Sequence, residues 1–171
     1  MYIKKLNMED IEEEYIFVRD IPEDINGYIN EHHGCSREEY VNEIFPKLKA
    51  WENGESLPAG YVPESYYYFW VDSMIAGEVR IRHHLCESLI NGAGHIGYYL
   101  AQEFRGKGYG TKLLALALKK ASKIVPEDEI YLRVQKGNQA SLRCMLNNGG
   151  YIHHEDDEHY YIRVKKYEHK D

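Results

Sequence analysis

The run Arg105-Gly106-Lys107-Gly108-Tyr109-Gly110-Thr111 has the residue types of an anion cradle. A short apolar stretch, Ile96 to Leu100, leads into it, and an amphipathic segment follows at once. Glycines let a backbone approach a ligand closely. The first turn of a helix presents unpaired N–H groups and a partial positive charge. A glycine loop that opens a helix therefore suits a phosphate or pyrophosphate, and Arg105 and Lys107 add charge to it. Spacing excludes two familiar phosphate loops. No Gly-x-x-x-x-Gly-Lys-Ser/Thr string exists, and no magnesium-binding acid stands at a distance suited to ATP. In the dinucleotide pattern G-x-G-x-x-G/A, the last position falls on Thr111 counted from Gly106, and on Leu113 counted from Gly108.

What the run does match is Arg-x-x-Gly-x-Gly, at Arg105, Gly108 and Gly110, which resembles the acetyl-coenzyme A loop of the GNAT N-acetyltransferases. The resemblance extends from Tyr66 to Tyr167. Tyr66 to Val71, a turn at Asp72-Ser73, and Ile75 to His84 resemble the family's central hairpin. Gly94 to Leu100 is similar to its fourth strand and Ile130 to Val134 to its fifth. Asn138-Gln139-Ala140-Ser141 opens a helix that ends at Gly149-Gly150, as the family's N-x-x-A…G-F segment does. The strings RIRHHL (Arg80 to Leu85) and GHIGY (Gly94 to Tyr98) are similar to one branch of small bacterial members. The resemblance implies an α/β (α+β) GNAT fold: a mixed, mostly antiparallel central sheet with splayed fourth and fifth strands, flanked by helices. It also implies acetyl-CoA as co-substrate, no metal, and direct acetyl transfer to a primary amine.

Residue roles carry over position by position. The pantetheine arm would pair with the backbone of Tyr98, Tyr99 and Leu100. Asn138 and Ser141 would lie near the pantetheine or acetyl region, and Asn138 can cap its helix at the same time. His95 stands where many members carry a glutamate. An imidazole suits proton removal near neutral pH, or it bonds a neighbouring strand as a structural histidine. Glu78 is the second candidate base, or an ordinary paired carboxylate. The family's tyrosine acid, seven residues after the helix-opening asparagine, is replaced by Met145, which donates no proton. Tyr151 or solvent would then supply it, or no acid is needed. That departure keeps open a non-catalytic acyl-CoA binding or sensing domain on the same fold.

Charge adds a partition. The chain carries −7, while residues 103–145 hold nine Lys/Arg against four acids, a net of +5 around the glycine loop. Residues 1–64 hold fifteen acids and six bases, a net of −9. A field of that sign predicts a cationic acceptor, a small molecule or a peptide amine, bound by residues before Tyr66 with the loop Cys86 to Gly92. Tyr28, His32 and His33 would make contacts there. Overall acidity and the absence of a reading motif argue against nucleic acid. Three His-His pairs (His32-His33, His83-His84, His153-His154) lack companions for a metal, and strand neighbours point to opposite faces.

The rest bounds the class. A chain of 171 residues with 43% hydrophobic content reads as one domain, with a core over about 66–167 and acceptor-side elements over about 1–65. No apolar run approaches the roughly 18 residues of a membrane span, and MYIKKLNMEDIEEE is no signal peptide. Cys35, Cys86 and Cys144 read as reduced thiols of a cytoplasmic protein. Exposed sheet edges in such folds admit a homodimer. Before Tyr66 the pattern predicts a strand at Tyr2 to Leu6, a helix over about Met8 to Arg19 capped by Asn7, and a loop over Pro22 to Gly34. Ser36 with Glu39 then caps a second helix that Pro46 should kink or divide. A closing hairpin is expected over Tyr151 to His154 and His159 to Tyr167.

Overall fold

A computed structural model describes residues 1–166. The first sheet holds β1 (Tyr2–Lys5), β4 (Glu64–Val71), β5 (Met74–Arg82) and β6 (Ile96–Leu100), antiparallel and in that order. The second holds β7 (Glu129–Gln135), β9 (His159–Lys165) and β8 (Tyr151–Glu155), also antiparallel. The expected end of the last hairpin at Tyr167 lies outside the described residues.

Helices cover both faces of the first sheet, so β4 is buried almost along its length. Tyr67, Phe69 and Val71 turn to one face, where α5 (Tyr109–Ile124) lays down Leu113, Leu114, Ala117 and Leu118. Tyr66, Tyr68 and Trp70 turn to the other, against α1 (Ile11–Asp20) and α3 (Phe45–Glu52). The period of two along a strand makes this division. Each fully buried leucine of α5 contributes about 1.5–3 kcal/mol, which fixes the helix, and the loop before it, against the sheet.

Asp72 and Ser73 both take positive φ (46° and 68°), the two-residue turn that matches strand twist. Several expectations shift. The stretch expected to be a loop contains a small ribbon, β2 (Asp24–Ile25) and β3 (Tyr28–Ile29), closed by Asn26-Gly27 at positive φ. The first helix starts at Ile11, three residues late, because Asn7 Oδ1 caps the preceding turn by accepting from Glu9 and Asp10 N–H. Ser36 Oγ accepts from Glu39 N–H at 3.1 Å, as the capping pattern requires, and opens α2 (Arg37–Glu39). Pro46 does not end the run. The five residues before α3 wind into a wider π turn, Tyr40–Ile44, which absorbs the missing donor. Downstream, α4 (Glu87–Ile90) sits in the loop after β5, and α6 (Gln139–Asn147) follows β7.

Candidate active site

The two sheets meet at one point and then part. Gly94 bridges Leu132, His95 N–H donates to Tyr131 O at 2.8 Å, and beyond this point β6 pairs only with β5. Gly94 is needed: its φ is 67°, and a Cβ there would lie 2.3 Å from Tyr131 O. These are the strands expected to splay. Bonds at the pairs His95–Arg82 and Ala101–Ala76 show that odd positions of β6 face β5. Alternation therefore turns the main-chain groups of Tyr98 and Leu100 into the gap, where Leu100 O accepts from Arg105 Nε at 2.9 Å, while those of Tyr99 go to β5. Tyr99 contributes its ring instead, 5.8 Å from Tyr28 and 5.5 Å under the Arg105 guanidinium.

The gap opens into a cavity of about 650 Å³. The glycine loop forms one end. Gly108 takes φ 80°, a backbone that favours glycine, and starts α5 with no side-chain cap. Lys112 is the first residue of α5 whose N–H is paired, with Gly108 O at 3.3 Å, so the preceding N–H groups point at the cavity mouth without a partner among the described residues. Arg105, Gly106, Gly108, Gly110 and Thr111 line this end. Lys107 does not: its Nζ donates to Glu103 O. Tyr109 turns away to pack on Phe69 and Phe104.

On the opposite wall Asn138 Oδ1 caps α6 by accepting from Ser141 N–H at 3.2 Å. The Ser141 and Tyr98 hydroxyls lie 2.6 Å apart, and burial raises the Tyr98 pKa. Tyr98 thus brings a protonated hydroxyl to the wall where Met145 replaces the family tyrosine. Tyr151 is remote, its hydroxyl bonded to Glu129 on the outer sheet.

The two candidate bases fall in different places. His95 is 0% exposed and lies outside the cavity lining. Its Nδ1 accepts from Tyr131 N–H at 2.8 Å, and its Nε2 meets Glu127 Oε2 at 3.1 Å. An Nδ1 that accepts must be unprotonated, so the ring is the neutral Nε2–H tautomer. Burial holds its pKa below the ordinary imidazole range, against the pull of Glu127. The ring sits at the vertex of the two strands and replaces a ladder bond.

Glu78 is 2% exposed, behind the cavity wall. Its Oε1 accepts from the Tyr28 hydroxyl and, at 2.9 Å, from Arg80 Nε. Both donors line the cavity. Burial holds the Tyr28 pKa well above the phenol value, so it keeps its proton. The β2–β3 ribbon positions this ring: Tyr28 lies beside Gly97 and under the Arg80 guanidinium, 4.5 Å from its centroid.

A second cavity, about 290 Å³, adjoins the first at Ile29, Arg80 and Arg82. Its walls come from Trp51, Tyr61, Glu64 and Tyr66 and from Ser88 and Leu89, the segments from which the acceptor site was expected. Of the many early acids, only Glu31 and Glu64 line it. Glu12 pairs with Arg37, Asp10 with Lys4 and Glu52 with Lys5; the net of −9 already counts these bases, and the other early acids stand outside the cavity lining. Arg80 and Arg82 were missed as site residues. The signal was present in RIR, two charges two residues apart on a strand.

Among the described residues no cluster of three or more His, Cys, Asp and Glu is arranged to hold a metal. The opposite-face rule for paired histidines fails at His153-His154. A bulge in β8 brings their Nδ1 atoms to 2.8 Å on the exposed edge.

Fold and gap together define a GNAT-type acyltransferase. A family model described as Acetyltransferase (GNAT) domain matches residues 16–150, and the chain belongs to that family. No curated protein matches it. Solved structures share the fold. A GNAT-family acetyltransferase from Streptococcus pneumoniae is 19% identical, with a TM-score of 0.63, covering 96% of this chain and 98% of that one. The ribosomal L7/L12 alpha-N-protein acetyltransferase RimL, in complex with coenzyme A, is 14% identical at a TM-score of 0.68 (96% and 93% covered). The N-acetyltransferase PseH of Campylobacter jejuni, with acetyl coenzyme A, is 21% identical at 0.58 (96% and 99%).

Proposed function

We propose that this chain moves an acetyl group from acetyl-CoA to a primary amine by direct attack within the β6–β7 gap. The observation that carries this reading is the continuous path from unpaired amides at the start of α5, along the edge of β6 at Tyr98, to the Tyr28–Glu78 pair. The path fits coenzyme A in charge and shape: Arg105, Arg133 and Arg143 line it, and its volume lies within the usual ligand range of about 300–1,000 Å³. The first-turn amides of α5 and Arg105 hold the pyrophosphate. The Tyr98 carbonyl and the Leu100 N–H orient the pantetheine through main-chain bonds. When bound, the thioester supplies an activated acyl carbon.

The residues of the chain then manage protons and charge. The amine loses its proton to the Tyr28 oxygen as the Tyr28 proton passes to Glu78 Oε1, so Glu78 is the base that acts through the phenol. Tyr98 N–H faces the developing oxyanion. The Tyr98 hydroxyl, backed by Ser141, protonates the departing thiolate. His95 braces the vertex and never meets the acceptor. The acceptor enters through the second cavity. Free, scattered Cys35, Cys86 and Cys144 fit a cytoplasmic setting. The test is calorimetric titration of coenzyme A. Arg105→Glu should weaken binding at least about tenfold by placing negative charge against the pyrophosphate. Unchanged affinity would remove the loop from the site.

A further inference from the structure

We infer that the acceptor carries a carboxylate beside its amine, and that Arg82, together with Arg80, reads it in the second cavity. This rests on the acetyltransfer reading and names the acceptor class for the same site.

The two arginines alternate on β5 and therefore turn to one face, roughly 6–7 Å apart along the strand. Each is held by part of its donor fork. Arg80 Nε bonds Glu78 and its Nη1 bonds Ile29 O, both at 2.9 Å. Arg82 Nη1 bonds Gly94 O at 3.1 Å, and its Nε stands 3.6 Å from Glu64 Oε2. Neither Nη2 has a hydrogen-bond partner among the described residues, although both side chains are largely buried, at 16% and 21% exposed. Two fixed guanidinium groups with spare donors at one opening form a fork for a planar anion.

Two carboxylates share the lining: Glu31 is exposed, and Glu64 is paired. The Glu64 carboxylate takes the Tyr66 hydroxyl at 2.6 Å and faces Arg82, so it is already engaged. Trp51 and Tyr61 pair at the mouth with centroids 5.6 Å apart, and Tyr61 is 52% exposed. They offer apolar surface to the body of a ligand. The ligand that fits has an apolar body on the aromatic pair, an anion at Arg82, and an amine turned past Arg80 toward Tyr28. A free amino acid has these parts in this order. A polyamine, which the net charge of residues 1–64 favoured, would place cations against two guanidinium groups.

The test uses phenylalanine, leucine and glutamine, each as free acid and as carboxamide. Binding to the CoA-saturated protein is measured by calorimetry, and turnover by release of free thiol from acetyl-CoA. At least one acid should bind about tenfold or more tightly than its amide, since a charge-assisted bond is lost in the amide. Arg82→Gln should bring that ratio close to one, and Arg82→Lys should retain part of it; a merely structural arginine would change both affinities alike. Equal or better binding of the amides in every pair, or no binding of any probe, overturns the inference. Selective binding of the acids without turnover would sustain it while refuting acetyl transfer.

Discussion

Replacing His95 by alanine separates a brace from a base. The imidazole is fully buried, and its removal orphans the Tyr131 N–H that Nδ1 accepts. A buried donor left unpaired costs about 1–3 kcal/mol. The void left by the ring adds about 1–2 kcal/mol, at the low end of large-to-small changes, because Glu127 is partly exposed and water can enter. The sum, about 3 kcal/mol, is a large share of a typical 5–15 kcal/mol. Urea unfolding of His95→Ala should therefore show a clear loss of stability, with weaker binding of coenzyme A because the strand gap loses its vertex. His95→Asn, whose side-chain oxygen can occupy the Nδ1 position, should recover much of both. The pH profile of kcat/KM should keep its shape in the asparagine variant. A His95→Ala protein of wild-type stability and coenzyme affinity, with kcat reduced a hundredfold and one pH limb gone, would make His95 the base and refute the bracing role.

Two further outcomes follow from the buried carboxylates. Glu78→Gln keeps the shape of the Tyr28 contact and removes the proton acceptor, so kcat should fall about 10²–10⁴-fold with coenzyme A binding intact; wild-type turnover in this variant would place the base elsewhere. Glu14 is 1% exposed, its Oε2 has no hydrogen-bond partner among the described residues, and burial pushes its pKa from 4.5 up to about 8. The folded state thus holds a proton that the unfolded chain releases, and this group's contribution declines as pH rises from about 4.5 to about 8. At pH 7 the cost is at most about 3 kcal/mol. Glu14→Gln should gain on the wild type steadily across that window in urea midpoints, because the depressed His95 and His32 act in the opposite direction in both proteins alike. Parallel stability curves would show that Glu14 is ionised in the fold.

Much of the frame was legible because it rests on local rules. Arg105, Gly108 and Gly110 announced the loop that opens α5, and the strand run Tyr66 to Val71 and the cap at Asn138 fell where their patterns placed them. Other features depend on contacts that no local pattern encodes. His95 sits in a glutamate's place, and only the position of Tyr131 across the gap shows that it bonds a strand. Glu78 looked ordinary until Tyr28, fifty residues away, was brought onto it by the ribbon. That ribbon did carry a signal in Asn26-Gly27, weakened by flanks of only two strand residues each. Net charge says nothing of where the acids stand: of the fifteen in residues 1–64, only Glu31 and Glu64 line the second cavity.

The central claim is acetyl transfer within the β6–β7 gap. It is tested most directly by incubating the protein with acetyl-CoA and amines, following thiol release together with the mass of the amine. The account predicts stoichiometric free thiol and acetylated amine, both lost in Glu78→Gln while coenzyme A still binds. Tight binding of acetyl-CoA with no acetylated product from any amine would contradict it and leave a domain that senses acyl-CoA.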